Sequence, residues 1–236
     1  MRIKQKHKLI EKNYEWYPID VNSLETHLSK LIFTNELVGY EKTYPLRKNI
    51  AYSLQYIQFL NKIRTDIKMT TVLLTQNIKS ILIQGATIIE AIFYYLVEVN
   101  GLSNSTKWSK IKTLNTGEYE LEQKKFRNEI VIFEKSNTPI KTSMTFDQMS
   151  KKVENKKLLG DDYKHYSKIN ALRKLRNKIH IHDAEHNLDT DWNNFNYKEL
   201  VLICYTLHSI LTSDLFEQST INKSFDFLKI ENESIN

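Results

Sequence analysis

Apolar residues recur at helical spacing along most of the chain. Behind Asp20-Val21-Asn22-Ser23, a group suited to an N-cap, Leu24, Leu28, Leu31 and Ile32 predict a helix through about Leu37. Past Tyr44-Pro45, Ile50, Leu54, Ile57 and Ile63 predict a second helix to about Asp66. Residues 71–100 carry Leu74, Ile78, Ile81, Leu82, Ile88, Ile89, Ile92, Phe93 and Leu96, an apolar surface too wide for burial on one side alone. That segment is expected to form the centre of the fold, to stop at Gly101, and to leave apolar surface that a second copy could cover.

The pattern changes over residues 102–145. Residues 119–121 and 129–133 alternate at a period of two, with Asn115 to Gly117 and Asn137 to Pro139 as turns, which predicts a short inserted β-ribbon. Helical spacing returns over 146–159, breaks at Gly160 and resumes at Asp161-Asp162, whose carboxylates suit a helix N-terminus, for a helix through 182. A loop over 183–196 leads to a last helix over 197–216, with Leu200, Ile203, Leu207, Ile210 and Leu211 facing inward. Residues 1–20, with Tyr14, Trp16 and Tyr17, read as an arm that packs on the body or dimerises, and the last twenty residues as a frayed end. The expected fold is a single mainly α domain over 1–236, an up-and-down helical bundle carrying a small β-ribbon. Only 5 Gly and 3 Pro argue against sandwiches and barrels, which use both residues freely in turns.

Charge and composition add little. The net charge of +6 favours a polyanionic partner or simply keeps the chain soluble. Cys204 sits in an apolar run, as a small buried hydrophobe does. The basic start of the chain lacks the apolar stretch of a signal peptide, and Lys79, Gln84, Glu90 and Glu98 interrupt the most apolar segment. A cytoplasmic location and no membrane are expected.

Candidate chemistry concentrates in Arg173-Lys174-Leu175-Arg176-Asn177-Lys178-Ile179-His180-Ile181-His182. On a continuous helix Arg173, Arg176 and His180 fall within about 60° of one another, beside the apolar row Ile169, Leu172 and Ile179. Like charges so close repel unless something anionic sits between them, and a phosphate is the obvious occupant. A guanidinium binds phosphate oxygens through a planar fork, and an imidazole takes or gives a proton near neutral pH. Together they could deprotonate a ribose 2′-OH, stabilise charge on the phosphoryl group and protonate the leaving oxygen, with Asn177 orienting the His or the phosphate.

This segment resembles the motif of the HEPN family (higher eukaryotes and prokaryotes nucleotide-binding), in which an Arg, commonly followed by Asn, precedes a His near the end of a helix. Arg176-Asn177 with His182, five residues between, looks like that motif, and so does Arg173 with His180, six between. Both exceed the commonest spacing of four, and which His is catalytic stays open. Arg176 and His182 diverge on an ideal helix, so they converge only if the helix ends near Ile181 or if two subunits contribute. The stretch from Gly85 to Ala91 is similar to the part of the family that turns an acidic or polar residue toward the site, which marks Glu90. Arg173, Glu90 and Lys178 are thus supporting or RNA-binding candidates. The resemblance implies a HEPN-like bundle and a homodimer whose two motifs meet in one cleft. It further implies RNA cleavage without metal or cofactor, and a role in antiviral defence or as a toxin with an antitoxin or other defence partner. A catalytically silent member that binds nucleic acid, a nucleotide or a protein is the alternative, and a helical interaction protein without a nucleic-acid role is a third.

A metal site built from His180, His182 and His186 with Asp183, Asp189 and Asp191 is disfavoured, because the flanking cations oppose a divalent ion. The aromatic groups at Tyr94-Tyr95 and at Tyr14, Trp16 and Tyr17 suit packing better than base stacking.

Overall fold

The computed structural model describes residues 21–29, 43–179, 186–213, 215 and 224–230. In chain order these form α1 (Val21–Ser29), α2 (Thr43–Asp66), α3 (Thr71–Val99), β1 (Ser105–Leu121), β2 (Lys124–Lys141), α4 (Phe146–Asn155), α5 (Tyr166–Asn177), α6 (Asp191–Asn194), α7 (Tyr197–Leu211) and a 3-10 turn at Asp226–Leu228. The arm over residues 1–20 and the helical continuation past Ser29 lie outside the described residues.

α3 is central because its apolar residues surround most of its circumference. Ile78, Ile81, Leu82, Ile88, Ile89, Ile92 and Phe93 are all buried, and α2, α4, α5, α6 and α7 pack against it. By length and composition α3 could cross a membrane, but most of its apolar window is covered by the other helices. α7 buries Leu200, Ile203, Leu207, Ile210 and Leu211 on the opposite side of the same core. Gly85 lets α3 and α7 approach closely: a Cβ there would lie 2.6 Å from Ile203 Cγ1. Two helices start on reciprocal caps, Thr145 with Gln148 for α4 and Asn196 with Glu199 for α7.

The expectation of a mainly α bundle with a small ribbon is overturned. Of the described residues 58% are helical and 19% lie in strands, a mixed α/β chain with a two-stranded antiparallel sheet. The ribbon is long, 17 residues in β1 and 18 in β2. Its alternation is hard to see in sequence because the register shifts between Thr106 and Trp108, Lys110 and Lys112, and Asn115 and Gly117, and each extra residue reverses the phase of the positions beyond it. Gly117, at φ 118°, serves one of these bulges rather than a turn. At the ribbon's root Lys141 pairs with Glu98, and Lys152 donates to the Leu102 carbonyl and to Asn104.

The hairpin turns instead at Glu122 and Gln123, with φ of 50° and 61°. Two consecutive positive φ values define the tight turn whose twist matches a hairpin, and Asn-Gly is its preferred occupant. Side chains there cost about 1–2 kcal/mol per residue. Glu122→Asn with Gln123→Gly should therefore stabilise the ribbon by ~1–2 kcal/mol, read as slower amide exchange along both strands. Unchanged exchange would mean that the chain does not turn at this pair.

Candidate functional site

The helix that carries the motif is shorter at both ends than its sequence suggests. α5 begins at Tyr166, with His165 as N-cap, so Asp161 and Asp162 lie in a turn upstream rather than at the helix start. It ends at Asn177 with Lys178 as C-cap, not at residue 182. The last intrahelical bonds are replaced by turn contacts, Lys178 N–H to the Leu175 carbonyl and Ile179 N–H to the Arg176 carbonyl. Ile169 and Leu172 anchor α5 in the core, with Leu175 and Ile179 partly buried beside them. A single-faced stripe of Arg173, Arg176 and His180 therefore has no continuous helix to carry it. His180 and His182 lie outside the described residues.

Arg173 and Arg176 turn to different neighbours. Arg173 Nη1 is 3.0 Å from Asp147 Oδ1 on the first turn of α4, and Asp147 also pairs with Lys151 at 2.8 Å. These two cations hold the Asp147 carboxyl below the usual carboxylate range, Lys151 first and Arg173 second, against the opposing effect of burial. Arg173 Nε is buried and has no hydrogen-bond partner among the described residues. Arg176 Nη2 donates to Glu90 Oε2 of α3 at 3.3 Å, with 39% of the Arg176 side chain and 29% of Glu90 exposed. The anionic groups that relieve the repulsion between the two arginines are thus, in this chain, carboxylates of α4 and α3. Glu90 engages one of the N–H donors of the Arg176 fork, and the partly exposed side chain offers others to an anion such as a phosphate.

Lys178 closes the loop beyond α5. Its ammonium is 2.8 Å from Asp189 Oδ1 and 3.3 Å from Asn194 Oδ1, and Asp189 Oδ2 accepts from the His186 N–H. Residue 186 is consequently linked through Asp189 to the end of α5. Asn177 is exposed on the last turn of α5.

A second tether holds the far side of this loop. Lys79 Nζ, on buried α3 surface, is 2.8 Å from Asp191 Oδ1, and Gln76 donates to Asp191 Oδ2 at 2.7 Å. Burial alone would raise the Asp191 carboxyl, yet the Lys79 and Gln76 hydrogen bonds hold it below its ordinary value. A depressed folded pKa means that the tether contributes fully above the unfolded value of about 3.9 and is lost as pH falls through the folded value. Emission from Trp192 in α6 should report that release on acidification, and Lys79→Gln should move its midpoint upward. A midpoint indifferent to Lys79→Gln would remove the tether.

Sequence alone singles out Arg173, Arg176, Asn177, Lys178 and Glu90, and the fold joins Glu90 to Arg176. It does not anticipate Asp147, Asn194 or the Lys79–Asp191 pair. The capping box around Thr145 signals the start of α4, but nothing local pairs Asp147 with Arg173. Also missed are His165 and His208, which with Tyr163 and Tyr205 line a cavity of about 300 Å³ between the turn preceding α5 and α7. Burial lowers both imidazoles, with Lys168 adding to the effect on His165 and Lys229 to that on His208. His165 Nε2 and the Tyr205 hydroxyl are 3.2 Å apart. Among the described residues no guanidinium lines that cavity, which so lacks the fork that the end of α5 offers.

No family model matches the chain, and comparison with curated proteins and with solved structures gave no match.

Proposed function

We propose that the chain is a metal-independent endoribonuclease of the HEPN type, acting as a homodimer on RNA, in antiviral defence or as a toxin restrained by a partner protein. The observation that carries this reading is the end of α5. There a half-exposed Arg176 rests on Glu90, and the sequence sets His180 and His182 four and six residues beyond it. In this reading one imidazole takes the proton of a ribose 2′-OH, and the 2′ oxygen attacks the adjacent phosphorus. The 5′ oxygen of the next nucleotide departs with a proton returned to it, leaving a 2′,3′-cyclic phosphate. Arg176 stabilises the charge that grows on the non-bridging oxygens, Glu90 fixes the plane of its guanidinium, and Arg173 and Lys178 hold the flanking backbone.

A second reading has its own support. Arg173 and Arg176 are already partnered by Asp147 and Glu90, which suits a silent module that binds RNA, a nucleotide or a protein without cleaving it. Labelled RNA incubated with the protein in EDTA separates the two. Cleavage that survives chelation, yields cyclic-phosphate ends and disappears in His180→Ala or His182→Ala supports the nuclease and identifies its base. RNA that stays intact at high protein concentration overturns it and leaves the binding module.

A further inference from the structure

The β-ribbon arranges its aromatic side chains in two ways. Cross-strand partners share a face, so the register sorts the rows into two sides. On one side Tyr119 and Phe126 stand in direct register and stack on each other at 5.5 Å. On the other side the rings stand one row apart: Lys110 faces Phe133, and the neighbouring row sets Trp108 opposite Lys135. Two rings thus occupy one diagonal of a square, and two lysines the other.

The rings of this square are open. Trp108 and Phe133 line a cleft of about 420 Å³ between them, and each is 52% exposed. Diagonal neighbours on an antiparallel face lie about 7–8 Å apart, roughly twice the ~3.4 Å spacing of stacked bases. That is the gap one planar base fills with a ring against each of its faces. The lysines are open as well. Lys135 Nζ lies 5.9 Å from the centre of the Trp108 ring, and among the described residues neither Lys135 nor Lys110 has a carboxylate partner. The acidic groups of this side all sit farther toward the tip and are matched there: Glu118 faces Arg127, Glu120 faces Lys125, and Glu129 pairs with Arg127 at 2.5 Å. The uncompensated positive charge on this side therefore falls on the two rows that carry the rings.

We propose that this square is a binding site for single-stranded RNA. One unpaired base enters between Trp108 and Phe133, and the phosphates before and after it lie against Lys110 and Lys135. Rings for bases and ammonium groups for phosphates suit any single-stranded polynucleotide, and only the choice of RNA rests on the nuclease reading. A duplex does not fit, because its bases are already stacked on one another. A lipid surface fits poorly: a hairpin that enters one carries apolar side chains at its tip, and this tip is Glu122 and Gln123, with Glu118 and Glu120 beside it.

The test is the affinity of the full chain for a short labelled 2′-O-methyl oligouridine, read by fluorescence anisotropy, with circular dichroism to confirm that each variant folds. The probe has no 2′-OH and cannot be cleaved by the proposed reaction, so binding is read apart from chemistry. Trp108→Ala should weaken it roughly 5–100-fold, the loss of one stacking partner. Phe133→Leu keeps an apolar side chain but no ring, and should also weaken it, whereas Trp108→Phe should retain most of the affinity. Lys110→Gln with Lys135→Gln should lower the slope of log affinity against log salt by about 0.7 per lysine. Tyr119→Ala, on the other side, should change nothing. The proposal is overturned by a wild-type protein that does not bind the probe at micromolar concentration, by a duplex bound as tightly, or by equal affinity in Trp108→Ala and Phe133→Leu. Vesicles of anionic lipid that bind the wild type and not Trp108→Ala, with probe affinity unmoved, would overturn it in favour of a membrane surface. Failure of the nuclease reading looks different: RNA stays intact while probe affinity still depends on Trp108.

Discussion

Arg176→Ala should slow RNA cleavage by about 10²–10³-fold, the loss typical when one donor aimed at developing charge is removed. The fold should barely notice. Arg176 and Glu90 form a half-exposed pair, and such pairs contribute at most about 1 kcal/mol. An activity loss without a matching loss of stability therefore assigns the effect to chemistry. Arg176→Lys should recover only a small part of the rate, because an ammonium keeps the charge but loses the planar fork. Glu90→Gln acts through the guanidinium it holds, so it should lower kcat less than Arg176→Ala does and leave KM nearly unchanged. If Arg176→Ala cleaves at the wild-type rate, the end of α5 is not an active site, and the carboxylates of Asp147 and Glu90 account for both arginines as structural ion pairs.

How much of the molecule is legible in its sequence depends on how local each cause is. α3 and α7 are legible because their burial repeats every three or four residues, and the same side chains that set the period fill the core. The ribbon is half legible: residues 130–133 form a short apolar, β-branched run, but the extra residues in β1 break its own alternation, and the turn falls on Glu122 and Gln123, whose types give no turn signal. That is why a long element reads as a short one and a mixed chain as a helical one. The end of α5 is illegible for a related reason. Residues 173–182 contain neither Gly nor Pro, and what accompanies the stop at Asn177 is a set of tertiary contacts from Lys178 to Asp189 and Asn194. The motif's residue types are visible in the sequence, whereas the counter-ions that decide how its arginines point come from α3 and α4.

Gly85→Val should destabilise the chain by about 2–3 kcal/mol and lower Tm by roughly 4–12 °C. The added side chain must displace Ile203, which is fully buried, with its Cγ1 and Cδ1 at 2.6 and 2.7 Å from the new Cβ and Leu207 close behind at 3.8 Å. The better helix propensity of Val over Gly offsets only a few tenths of a kcal/mol. Ile203→Ala should open the space that the introduced valine needs, so the double variant should be more stable than the sum of the two single losses by at least about 1 kcal/mol in urea unfolding. Additive losses would mean that α3 and α7 do not meet at this glycine. The effect should also reach the candidate site, since Gly85 and Glu90 share α3 and a helix pushed off α7 carries Glu90 with it. Impaired cleavage in Gly85→Val that Ile203→Ala relieves would tie the position of Glu90, and through it the Arg176 guanidinium, to the approach of α3 and α7 at Gly85.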